Sequence, residues 1–360
     1  MAEARPSSRL SFVDLARGLA VLLMLQTHVY DAWLRPELRG TWFFQQSQFL
    51  GGLPGADFLF LLGVGSSLAN ETSRGRGGST KQVVATGMRR GAWLLSVAFL
   101  FRIIMYLASD RPEIEAIFKV DILNCLGVSL ALMTCVEIAG SRTLRIMAAL
   151  AGGAFFAIGA SFVWDGDLVT GLPNRIAGYF SGRVFNSSFP VFPWTAFAFA
   201  GHGVGTLIAA ARGPRLNLRI IQLTLGALAA IPLALALDRA ATLGPHYDFW
   251  WTSPNFIAIK TSVLLLILCA CFAVEKVLAS ASRATRALAG PVTGALIQMG
   301  RTSLLIYCVH IDLVYGSRAF PSLWKSCEIT EASRYLVALT LSMLTLSYVW
   351  SYLRSKVARV

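Results

Sequence analysis

Ten apolar stretches run along this chain, at 10–30, 50–70, 88–108, 116–138, 143–163, 190–211, 219–237, 255–275, 293–315 and 334–353. Each is near the roughly 20 residues that cross a hydrocarbon core about 30 Å thick. The charges between them sort by side. With the N-terminus in the cytoplasm, the inner segments 1–10, 71–90, 139–145, 212–219, 275–290 and 354–360 each carry between +1 and +4. The outer segments 31–49, 109–115, 165–190, 238–253 and 317–332 each carry between −2 and 0. This is the positive-inside pattern, and an odd number of spans would break it. The sequence therefore predicts an all-α, polytopic membrane protein. It has about ten transmembrane helices, both termini in the cytoplasm and one helical bundle over 1–360.

Mean hydropathy is +0.60, and only 14% of residues are charged, against about 25% in soluble domains. A soluble fold would have to hide ten apolar helices inside 360 residues, and there is too little interior for that. Arg5 and Arg9 precede the first span as in a signal peptide, yet Asp14 and Arg17 lie within it and no small-residue cleavage site follows, so the span is expected to be retained. The net charge of +13 sits in short cytoplasmic loops. There it meets anionic membrane lipids and sets orientation, so it does not point to nucleic acid. Five of the six cysteines fall in spans, and no disulfide framework or metal site follows from their spacing.

The long outer loops are rich in aromatic residues, among them Trp33, Trp42, Phe43, Phe44, Trp164, Tyr179, Tyr247, Trp250 and Trp251. Interfacial anchoring explains such residues one by one. On three loops of the same side they are also placed to roof a cavity or to meet membrane-protein partners.

Ionisable and amide side chains inside spans are the strongest functional pointers, because each is costly in lipid and is expected to face the bundle interior. Arg17 and His28 are eleven residues apart on the first span, which keeps them on one stripe, roughly 16 Å apart along the axis. Asp57 opens the second span, Asp121 and Asn124 open the fourth, and the ninth carries Arg301, His310 and Asp312. By depth, His28, Asp57, Asp121, Asn124, His310 and Asp312 fall in the outer half, with Arg17 and Arg301 in the inner half. Histidine with carboxylate at one depth suits general acid–base work. The expected roles make His28 the base, Asp57 its orienting partner, Asn124 an oxyanion donor and His310 a second base or a partner of Asp121 or Asp312. No HxxxH or HxxE spacing supplies two metal ligands from one helix.

Several stretches carry a family resemblance. RLSFVDLARGLAVLLMLQTHVYDAW (9–33) resembles the first span of the heparan-α-glucosaminide N-acetyltransferase-like membrane family at Asp14, Arg17, Gly18, Met24 and His28. GGLPGADFLFLLGVGSSL (51–68), DILNCLG (121–127), FPVFPWTAFAFAGHGVG (189–205) and GRTSLLIYCVH (300–310) are similar to further family segments in the expected order, the last echoed in the broader acyltransferase-3 group. Ser47 stands where the animal lysosomal member has a loop histidine, 31–49 contains none, and Asn124 replaces a common Gln.

The resemblance implies an acyltransferase of the cytoplasmic (inner) membrane, with acyl-CoA or acetyl-CoA as co-substrate and no permanently bound cofactor. The acceptor it implies is a sugar or glycan on the periplasmic face. Arg17 and Arg301 would hold the CoA phosphates. Two other readings use the same residues. An accessory or scaffolding subunit of a larger membrane complex needs no chemistry, and a transporter would use the polar interior as a pathway.

Overall fold

The computed structural model describes residues 10–109, 113–164, 166–184, 187–211, 213–316 and 319–357. Arg5 and Arg9 lie outside them. The helices are α1 (Ser11–Trp33), α2 (Trp42–Gly51), α3 (Pro54–Gly75), α4 (Thr80–Ala108), α5 (Ile122–Thr134) and α6 (Arg142–Val163). Two short turns, α7 (Asp167–Thr170) and α8 (Asn174–Ala177), precede α9 (Val191–Ala209). The chain ends with α10 (Pro214–Ala240), α11 (Pro254–Ser280), α12 (Arg283–Arg301), α13 (Ser303–Tyr315) and α14 (Ile329–Val357). Polar caps start several of them: Ser79 with Gln82 forms a capping box at α4, and Asp121 with Asn124 does the same at α5.

Among the described residues, nine helical segments are long and apolar enough to cross a membrane. The fold is an all-α polytopic membrane protein, as the hydropathy pattern predicts. One expected span differs. The stretch 293–315 is two helices, α12 and α13, bent by 83°. No proline marks the bend. It falls at Thr302, whose backbone (φ −117°, ψ 20°) leaves the helical region and whose hydroxyl bonds Ser347 of α14 at 2.5 Å. Gly300, two residues earlier, lies against the Asp14 carbonyl of α1. The close approach to α1 and the polar tether to α14 set where the helix breaks.

Helices α3 and α9 form the closest pair. A Cβ on Gly63 would come within 2.0 Å of the Ala198 carbonyl oxygen, and one on Gly201 within 1.9 Å of that of Phe60. Small residues here let two backbones touch, which is how helices gain packing energy where lipid removes the hydrophobic drive between them. Phe60, Phe197 and Leu264 are fully buried around this pair, whereas α4, α10 and α14 turn Leu100, Leu225 and Leu341 outward, as lipid-facing helices do.

The two ends of the bundle differ. At one, here the aromatic end, Leu34 pairs with Cys327, Ser188 donates its backbone N–H to the Val120 carbonyl, and Trp164 packs on Trp251. At the other, the basic end, buried Glu137 takes a hydrogen bond from Asn70 (2.9 Å) and ion pairs with Arg74 (3.0 Å), and it lies 3.2 Å from His202 and 3.6 Å from Arg145. Glu71 pairs with Arg142 (2.8 Å) and Arg145 (2.5 Å). These contacts tie α3, α6, α9 and the turn after α5 into one knot.

Candidate active site

A cavity of about 510 Å³ lies at the aromatic end, walled by α1, α3, α4, α13 and the chain entering α5. That is the size of a small-molecule site. His28 lines it from the last third of α1. Behind His28 stands His310 of α13, fully buried, with its Nε2 2.8 Å from His28 Nδ1 and the two rings 5° from parallel. His310 Nδ1 lies 2.7 Å from the Ile306 carbonyl oxygen.

This chain of contacts fixes the tautomers. A carbonyl only accepts, so His310 Nδ1 carries the proton, and a neutral His310 then offers Nε2 as acceptor. His28 Nδ1 must therefore donate to it. That leaves the lone pair of a neutral His28 on Nε2, to which no hydrogen bond runs among the described residues. A histidine whose far nitrogen is held by an orienting partner has the arrangement of a general base.

The remaining polar groups of the wall are mostly spoken for. Asp31 pairs with Arg39 (3.2 Å) and accepts from the Tyr315 hydroxyl (3.0 Å), and the Tyr315 ring stands edge-on to His28. Asp121 caps α5, its Oδ1 accepting from the Leu123 and Asn124 backbone N–H groups, while Oδ2 pairs with Arg102 at 2.9 Å. Lys119 also lines the cavity, and it has no ion pair or hydrogen bond from its ammonium among the described residues. The Tyr307 ring packs on His310 and its residue borders the same space.

The structure brings together some of the residues singled out from sequence and separates others. His28 and His310 meet directly, so the partner of His310 is His28, and neither Asp121 nor Asp312. Asp57 is buried in α3 but does not orient His28. Pro54, Gly55 and Phe58 face the cavity, and Asp57 points roughly 100° away from them around the helix, toward the side where Arg17 reaches the Leu61 carbonyl. Asn124 is also turned from the cavity. Its Oδ1 accepts the Asp121 backbone N–H and its amide donates to the Tyr179 hydroxyl (3.1 Å), which makes it a cap and a loop tether. Arg17 and Arg301 do converge, on opposite oxygens of buried Asp14, at 3.1 and 3.3 Å. Ser47 is buried on α2 with its hydroxyl donated to the Phe44 carbonyl.

Several site residues escape the sequence reading. Arg102 and Tyr307 lie within apolar spans and Lys119 two positions before Asp121, so the rule that flagged Asp57 also applied to Arg102. His202 is a third histidine inside a span, and the structure spends it on Glu137 at the basic end.

No curated protein matches the chain. The family described as heparan-alpha-glucosaminide N-acetyltransferase, catalytic, matches residues 9–234, a stretch that holds Arg17, His28, Arg102, Lys119 and Asp121 and ends before His310. With that match over more than half its length, and the histidine-lined cavity largely inside it, the chain belongs to the heparan-α-glucosaminide N-acetyltransferase catalytic family.

Proposed function

We propose that this membrane protein, of an acetyltransferase-type family, moves an acyl group from acyl-CoA to a hydroxyl or amino group of a sugar or glycan. The acceptor sits in the aromatic-end cavity, and the low charge of the loops at that end supports placing it on the side away from the cytoplasm, the periplasmic face of an inner membrane in this reading. The single observation that carries the reading is the uncommitted Nε2 of His28, aligned through Nδ1 on His310.

In this chemistry the acceptor X–H gives its proton to His28 Nε2 while X attacks the thioester carbonyl carbon. The imidazolium keeps its Nδ1–H bond to His310, which disperses the new charge. The tetrahedral intermediate then collapses, the C–S bond breaks, and the CoA thiolate recovers the proton from His28. The products are the acylated acceptor and CoA–SH. The donor is drawn from the basic end, where Arg17 and Arg301 flank Asp14 and offer guanidinium groups to CoA phosphates. The acyl arm has to cover the roughly 16 Å of helix between Arg17 and His28.

The test is transfer of label from acetyl-CoA to a panel of amino sugars and neutral sugars by the protein in proteoliposomes. His28→Ala should lower the rate by about 10²–10⁴-fold, with the elution profile and thermal transition kept. A rate unchanged by that substitution removes His28 from the chemistry, and a protein that binds no acetyl-CoA removes the donor from the proposal.

A further inference from the structure

The charges around the cavity do not balance, and the imbalance sits on one residue. Asp31 is matched by Arg39 and Asp121 by Arg102. Among the described residues Lys119 is left over, half-buried on the cavity wall, with Arg102 and Asp121 as the charges acting on it. Asp121 does not pair with it. Its Oδ1 takes two backbone N–H groups and its Oδ2 faces the Arg102 guanidinium at 2.9 Å, and no ion pair joins it to Lys119 among the described residues. Lys119 is held at the end of the short turn Ile114–Phe118, and its neighbour Val120 is pinned by the backbone N–H of Ser188. The ammonium is therefore presented by chain tethered on both sides.

A partly desolvated ammonium without a counter-ion is unfavourable in the empty site and is relieved by a ligand that brings a negative charge. The other uncommitted group on this wall is His28 Nε2. An acceptor that meets both presents its nucleophile to the histidine and an anionic oxygen group to the lysine.

We propose that Lys119, backed by Arg102, is an anion subsite. It selects acceptors carrying a carboxylate, phosphate or sulfate beside the hydroxyl or amine to be acylated, and it rests on the acyltransferase reading only for what happens after binding. Neutral sugars of the same size leave the ammonium unmatched and bind less well. The phosphates of CoA are the other source of such a group, and the experiment separates the two.

Binding is measured by titration calorimetry on the full chain in lipid nanodiscs, without acyl donor, using glucosamine and glucosamine 6-phosphate. The wild type should bind the phosphorylated sugar roughly ten-fold or more tightly than glucosamine, which carries the same amine and no phosphate; that is the scale of one charge-assisted hydrogen bond. Lys119→Met should erase that preference, and Lys119→Arg, which keeps the charge, should retain most of it. Raising the salt concentration should narrow the gap in the wild type and leave Lys119→Met unchanged. A wild type that does not tell the two sugars apart overturns the proposal, as does a preference that survives Lys119→Met. Equal loss of acetyl-CoA affinity in Lys119→Met with the sugar preference intact also overturns it, because the lysine then serves the donor. Sugar discrimination without any acetyl transfer leaves the subsite standing and removes the acyltransferase reading instead.

Discussion

At the basic end Glu137 is held by groups from three helices, whereas at the aromatic end the lysine beside the cavity has no ion pair or hydrogen bond from its ammonium among the described residues. Both ends bury charge in a chain that has little of it. The Glu137 carboxylate gathers Asn70, Arg74, Arg145 and His202 around it, so it ties α3, α6 and α9 together even though His202 Nδ1 and Arg145 Nε make no hydrogen bond among the described residues. The cavity wall pairs its carboxylates with Arg39 and Arg102, but it leaves an imidazole nitrogen and an ammonium uncommitted among the described residues. A satisfied polar network rigidifies, and an unsatisfied one waits for something to bind. The same residue types serve structure at one end and, under the proposed function, chemistry at the other, and the difference is made by their partners.

The contrast breaks most sharply at Glu137. Replacing it with Leu strands Arg74 and Arg145 without their shared carboxylate, and loss of one partner of a buried ion pair costs about 3–5 kcal/mol. Thermal unfolding of the detergent-purified protein should fall accordingly, while transfer per folded molecule stays near the wild-type rate. An inactive variant of normal stability would show that the knot takes part in the reaction.

His310 comes next. His310→Phe takes away the acceptor for His28 Nδ1–H, and the rate should drop by roughly 10²-fold, less than for loss of His28 itself. His310→Gln keeps an oxygen that can accept that proton and should recover much of the activity. If Phe and Gln behave alike, His28 does not depend on a hydrogen-bond acceptor at position 310. The smallest effect belongs to Asn124→Ala, which removes half of a capping box and should cost about 1 kcal/mol in chemical unfolding with little change in rate. A large loss of rate there would return Asn124 to the oxyanion role its position argues against.

Much of this architecture is legible in the sequence because a bilayer imposes length and side on every segment. Spans and the sorting of charges follow from that alone. Depth can also be counted along each helix, which is how His28 and His310, 282 positions apart, stand out together. Depth gives no direction around the helix axis, however. Asp57 has the right depth and the wrong azimuth, and Asn124 spends its amide on capping and on Tyr179, so neither reaches the cavity. The break at Thr302 leaves no mark in the chain because it arises from contacts with α1 and α14, without a proline. Arg102 lies inside an apolar span and carries the signal that flagged Asp57, but its partner Asp121 becomes visible only once α4 and α5 are side by side.

One consequence of the histidine pair concerns electrical work. The chain of hydrogen bonds from the cavity runs through His28 and His310 and stops at the Ile306 carbonyl, which cannot take a proton and pass another on. Under the proposed chemistry the imidazole pair is thus a cul-de-sac for protons. Whatever His28 takes from the acceptor goes back to the departing thiolate in the same chamber, and no proton crosses the bilayer by this route. The turnover is then blind to the membrane potential: collapsing the proton gradient with an uncoupler leaves the acylation rate as it was, and the free energy of the thioester drives the reaction alone.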